Sequence, residues 1–191
     1  MPRPRRTVTE LEGAHTRMGR VGIDDIEDLR SLRLDADGRH ELLTAQSECT
    51  FVFTAAEGWP AGVVMSFLYE EGRFWLTAVR GRAHAEAIGR DPRVTLVVSN
   101  SGTTLPGRRM LAVRGIALRR DDEETKRRML PRLAAKLAPG DPAAMVRLLD
   151  SPNRVIFEVH PVKIAVSHDS RKMPGDGRGG SGSAGRADSK E

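Results

Sequence analysis

Three cation-capable side chains, Arg80, Arg82 and His84, fall within five residues of the stretch LTAVRGRAHAEAIGRDPRV, residues 76–94. The stretch opens as an apolar strand that passes through Thr77 and Ala78, and its alanine-rich part predicts a short helix over 83–89 that ends before Pro92. A basic turn between a strand and a helix start has a chemical consequence. The first N–H groups of a helix lack intrahelical acceptors and carry the positive end of its dipole, so they suit a phosphate. Two arginines add charge-assisted, bidentate hydrogen bonds, each worth about 1.5–3 kcal/mol when well placed. Gly81 lets the backbone approach a ligand closely. On the residues alone two readings stay open, a phosphate cradle and a solvated basic turn.

Other chemistry is poorly represented. The sequence has no G-x-G-x-x-G, no G-x-x-x-x-G-K-[ST], no H-E-x-x-H and no G-x-S-x-G. His15, His40, His84, His160 and His168 are scattered without an i, i+4 pair, so no metal site is expected. Cys49 is the single cysteine and sits in the apolar run CTFVF, where it reads as a small buried hydrophobe. The acid pairs Asp24-Asp25 and Glu123-Glu124 fall on expected helix surfaces as solvated capping residues. No side chain stands out as a general acid or base, and the catalytic residues stay unassigned.

The elements that must position the basic turn come next. With 191 residues and 39% hydrophobic content, the chain can build one core. Its +5 net charge is scattered among acids, the purely basic run Arg3-Pro4-Arg5-Arg6 apart, and aromatics make up only 4%. No nucleic-acid partner is expected from that pattern. No apolar stretch reaches 18 residues, so no membrane span is expected and a cytoplasmic protein is the default. Residues 1–20 read as a basic, flexible segment, 21–172 as the folded domain, and 173–191 as a disordered Gly/Ser-rich tail.

Within the domain, helices are expected over 24–34 and 39–47. Strands over 49–55, 62–69 and 73–79 are joined by short Gly-containing turns, which predicts an antiparallel meander. In the third strand Phe74, Leu76 and Ala78 share one face, while Arg73, Trp75 and Thr77 share the other. Strands over 93–99 and 108–120 follow. A helix over 122–137 comes next, with Met129, Leu130, Leu133 and Leu137 as its buried stripe, then a helix over 141–150. The last strand, 153–167, is bent at Pro161. This mainly β chain with flanking helices fits a six-stranded antiparallel split β-barrel, because an open sheet would leave long hydrophobic edges exposed.

The runs GVVMSFLYEEGRFWLTAVRGRAHAEAIGRDPRV, MLAVRGIALRRDDEE and RVIFEVHPVKIAVSHDSRKM resemble, in order and spacing, the pyridoxamine 5'-phosphate oxidase-like family of flavin-binding split barrels. The resemblance spans about residues 40–173. It implies a homodimer with two cofactors in clefts at the interface, usually FMN and in some branches the deazaflavin coenzyme F-420. It further implies hydride or electron transfer to a small-molecule substrate. Carried over, Val63, Val64, Met65 and Ser66 would line the isoalloxazine with their backbone, and Thr77 and Ala78 would border the ribityl chain or phosphate. Arg82 stands where the family places a phosphate-binding arginine, with Arg80 beside it. His84 stands where the family usually has lysine.

Three further departures accompany the match. Met110 replaces a flavin-facing glutamine, and the substrate-binding arginine and histidine of the true oxidases are absent, so pyridoxamine phosphate oxidation is not expected. His168 replaces a tryptophan ahead of Asp169, so Asp169, Arg171 and Lys172 are not carried over as cofactor contacts. A non-catalytic flavin- or haem-binding role is the alternative from another class.

Overall fold

A computed structural model describes residues 29–173. The basic segment 1–20, the first part of the helix expected over 24–34, and the tail from residue 174 lie outside the described residues. Period-2 alternation of apolar residues builds six strands: β1 (Glu48–Thr54), β2 (Pro60–Glu70), β3 (Arg73–Val79), β4 (Arg93–Ser99), β5 (Arg109–Arg120) and β6 (Arg154–Asp169). They close into an antiparallel barrel in the order β1-β2-β3-β6-β5-β4. The meander β1-β2-β3 forms as its turns predict, and β6 returns after the helical excursion to sit between β3 and β5.

The inward rows of these strands fill the barrel with Phe51, Phe67, Phe74, Leu76, Leu96 and Phe157, and Cys49 is buried among them. Burial pushes the Cys49 thiol up to about 12. Trp75, on the outward face of β3, is covered by α3 (Glu123–Leu137), which lays Met129, Leu130 and Leu133 over it and Ile156. Leu137 is only half-buried, so the stripe ends one turn earlier than the sequence suggests. Helix α4 (Pro142–Leu149) follows, opened by Asp141, which accepts from the Ala144 N–H at 2.9 Å.

Two helical segments differ most from expectation. The described part of the segment 24–34 holds a single 3-10 turn, Leu29–Leu32. Helix α1 spans Ala36–Ala45 instead of 39–47 because Asp35 caps it, its Oδ1 accepting from the Gly38 N–H at 2.8 Å. Leu42 and Leu43 are the side chains that α1 buries against the barrel.

The bend near Pro161 appears as register shifts against β5, between Ala112/Val113 and between Arg114/Gly115. At the second shift a Cβ on Gly115 would lie 2.7 Å from Val159 Cγ1 and 2.9 Å from the His160 carbonyl oxygen. Only glycine lets the strands approach so closely there.

Candidate functional site

The hairpin of β2 and β3 opens partway along its length. Their ladder runs from Glu70↔Arg73 to Phe67↔Leu76 and stops, although both strands continue. Beyond that point β2 pairs with β1, as in Ser66↔Glu48 and Val63↔Phe51, and β3 pairs with β6, as in Thr77↔Ile156 and Ala78↔Val155. Continued, the register would set Ser66 against Thr77 and Met65 against Ala78. Instead these residues form two lips of a split in the barrel wall. Met65 and Ala78 point into the core, Val64 faces out, and Val63, Ser66 and Thr77 are half-buried. The Thr77 hydroxyl donates to the Val155 carbonyl at 3.1 Å, which pins the β3 lip to β6.

From the β3 lip the chain turns through Gly81 (φ +83°) into α2 (Ala83–Arg90). A Cβ at Gly81 would meet nothing within 4 Å, so the space above the turn is open. Arg82 is the N-cap residue, and its side chain does not cap the helix. The first hydrogen bonds to its carbonyl come from Ala85 (2.8 Å) and Glu86 (3.1 Å), so the Ala83 and His84 N–H groups precede the intrahelical ladder. The Arg82 guanidinium is exposed and has no ion-pair partner among the described residues.

The other two cations are committed elsewhere. Arg80 Nη2 lies 3.1 Å from Asp121 Oδ2, and its backbone N–H donates to the Asn153 carbonyl at 2.7 Å. The His84 ring packs edge-on against Phe53 and Phe157, centroids 6.1 and 6.0 Å apart, as a plug at the end of the barrel. Burial lowers its pKa below the ordinary histidine value, and the nearby Arg82 charge lowers it further, so the ring is neutral near pH 7. Sequence spacing groups the three as one basic cluster; the fold separates their roles. The partner that reading missed is Asp121, which reaches Arg80 because the end of β5 lies beside the turn.

The C-terminal residues form a network of their own. Arg171 holds Asp169 bidentately, with Nε–Oδ1 at 2.9 Å and Nη2–Oδ2 at 2.7 Å, and Lys172 reaches Asp35 at 3.0 Å. Arg109, fully buried, pairs with Glu41 of α1 at 2.5 Å. These contacts tie the ends of β5 and β6 to α1 and its cap. Among the described residues no group of three or more His, Cys, Asp or Glu could hold a metal ion.

The α2 start presents the Arg82 guanidinium and the Ala83 and His84 N–H groups, donors of the kind a phosphate takes. Among the described residues the turn holds one cation without an ion-pair partner, not the three that the sequence offers.

The family model described as pyridoxamine 5'-phosphate oxidase matches residues 36–168, from the start of α1 almost to the end of β6. Among solved structures, a conserved hypothetical protein from Mycobacterium tuberculosis is 20% identical with a TM-score of 0.66, covering 79% of this chain and 96% of that one. An F420 reductase is 20% identical with a TM-score of 0.52, covering 66% of this chain and 94% of its own. A haem storage protein from Vibrio cholerae is 16% identical with a TM-score of 0.56, covering 74% of this chain and 100% of its own. At these identities the likeness is one of fold. No curated protein matches the chain.

Proposed function

The chain belongs to the pyridoxamine 5'-phosphate oxidase family, and from that premise we propose that it is a homodimeric, FMN-binding oxidoreductase acting on a small molecule. The observation that carries this reading is the parting of β2 and β3 at Ser66 and Thr77, next to a helix start where Arg82 has no ion-pair partner among the described residues. The lip Val63–Ser66 offers backbone N–H and C=O groups to the polar edge of a ring system. Thr77 and Ala78 form the opposite lip, and Arg82 with the first α2 N–H groups takes the phosphate. The His84 ring closes on Phe53 and Phe157 at that end of the barrel and adds no charge to the phosphate site. When bound, the flavin supplies the hydride or electron chemistry, and the protein's share is binding and orientation.

The deazaflavin coenzyme F-420 is the second reading, and the charge count favours weighing it. A phosphomonoester such as that of FMN carries close to two negative charges at pH 7, whereas the phosphodiester of the deazaflavin carries one. With Arg80 paired to Asp121 and His84 neutral, one free cation matches the single charge better.

The homodimer is supported by the outward face of the sheet. Val64, Thr50, Val97, Ala112 and Val166 are successive cross-strand neighbours over β2, β1, β4, β5 and β6. Val64 and Val166 are 70% and 56% exposed. The exposed valines of this row, flanking the exposed Thr50 and the buried Ala112, are the face assigned to the proposed dimer.

The test is the absorption spectrum of the protein after incubation with each cofactor and removal of the excess. One FMN retained per chain, with a flavin band, supports the first reading, and retention of the deazaflavin in preference supports the second. Protein that retains neither overturns both.

A further inference from the structure

We propose that the cleft between α1, the β2–β3 hairpin and the bend of β6 is a second small-molecule site, built for an amphipathic anion: an apolar body carrying a carboxylate, sulfonate or phosphate. The cleft holds about 350 Å³, within the range of small-ligand pockets. Its floor is apolar, made by Leu43, Tyr69, Phe74, Leu111 and Val113. Its rim carries three cation-capable side chains, Arg39, His40 and Lys163, and none of its lining residues is acidic.

The charges of the rim are free to act on a ligand. Neither His40 nor Lys163 has an ion-pair or hydrogen-bond partner among the described residues. The Arg39 guanidinium is steered by one bond, Nη1 donating to the Leu34 carbonyl at 2.9 Å, which leaves its other donors available.

An uncharged apolar ligand would leave like charges crowded at the mouth without a counter-charge. A purely polar anion would leave the apolar floor wet, forgoing about 25 cal/mol for each Å² that an apolar body would cover. An amphipathic anion answers both. None of the lining residues belongs to Val63–Ser66 or Thr77–His84, so the site is separate from the split, and the proposal stands whether or not a flavin binds there.

Fluorescence titration with 8-anilinonaphthalene-1-sulfonate, beside its uncharged relative N-phenyl-1-naphthylamine, tests this. The expected result is one sulfonate bound per chain, at least tenfold tighter than the uncharged probe and not displaced by FMN. His40→Glu/Lys163→Glu should weaken the sulfonate at least tenfold and leave the uncharged probe unchanged. Ala36→Trp, at the exposed first residue of α1, should fill the mouth and abolish binding of both probes while the melting temperature stays unchanged. A wild-type sulfonate preference near one overturns the proposal and needs no variant to fold. Sulfonate binding that survives both sets of substitutions places the probe on the exposed sheet and also overturns it. One-for-one displacement by FMN overturns it by assigning the probe to the split.

Discussion

Arg80 and Asp121 meet across the end of the barrel, Nη2 to Oδ2 at 3.1 Å, so the turn that holds Arg82 has a carboxylate built into its edge. Asp121 is shared: Arg119 Nε lies 3.4 Å from its other oxygen without completing a hydrogen bond, and Arg119 also approaches Glu86 of α2 at 3.8 Å. Any phosphate at the α2 start competes with Asp121 for Arg80. Asp121→Asn should free that guanidinium and tighten FMN binding about two- to fivefold, the span expected for a partly exposed ion pair. Titration of FMN fluorescence quenching checks this, and weaker binding in the variant would show that Asp121 positions Arg80 and does not sequester it.

His84 gives the protein a pH-dependent contribution to stability. Burial holds its folded-state pKa below the unfolded value, so protons bind the unfolded chain more readily. Its stabilising contribution is therefore present above the unfolded histidine range, near pH 6.5, and is lost as pH falls toward the lower folded value. His84→Phe keeps the aromatic plug and removes the titration, so the melting temperature of the variant relative to wild type should rise between pH 7 and pH 5. A difference that does not change with pH contradicts the assignment.

The barrel was legible because its signals are local. Alternation marks the inward row Phe74, Leu76 and Ala78, and Glu70-Glu71-Gly72 marks the hairpin turn, where Glu71 and Gly72 both take positive φ. The start of α1 was readable in principle from Asp35 and its bond to the Gly38 N–H, a capping signal outweighed by the apolar residues farther on. The site was legible only as a list. Arg80, Arg82 and His84 lie close in sequence, but whether each is free depends on residues brought in by the fold: Asp121 from the end of β5, and Phe53 and Phe157 from opposite sides of the barrel. The same holds for the split, which depends on where a ladder stops and not on any one side chain.

Gly115→Ala should destabilise the protein by about 1–3 kcal/mol, the usual cost of overpacking. The added Cβ meets the His160 carbonyl, backbone that cannot swing aside. Chemical denaturation should show a lower midpoint with an unchanged slope. Gly140→Ala, where a Cβ meets nothing within 4 Å, is the matched control and should be near neutral.

Val64→Glu places a charge in the exposed apolar row of β2. If that row is the homodimer contact, sedimentation should show the variant as a monomer at concentrations where the wild type is a dimer. A wild-type monomer, or a variant that stays dimeric, rules out this face.

The account turns on Arg82 and the α2 start as the holder of a cofactor phosphate. Calorimetric titration of FMN into the wild-type protein and into Arg82→Ala tests it most directly. Binding of one FMN per chain, weakened about tenfold or more by the loss of one charge-assisted contact of roughly 1.5 kcal/mol or greater, is the predicted result. Equal affinity in the two proteins, or no binding of FMN to the wild type, would contradict it.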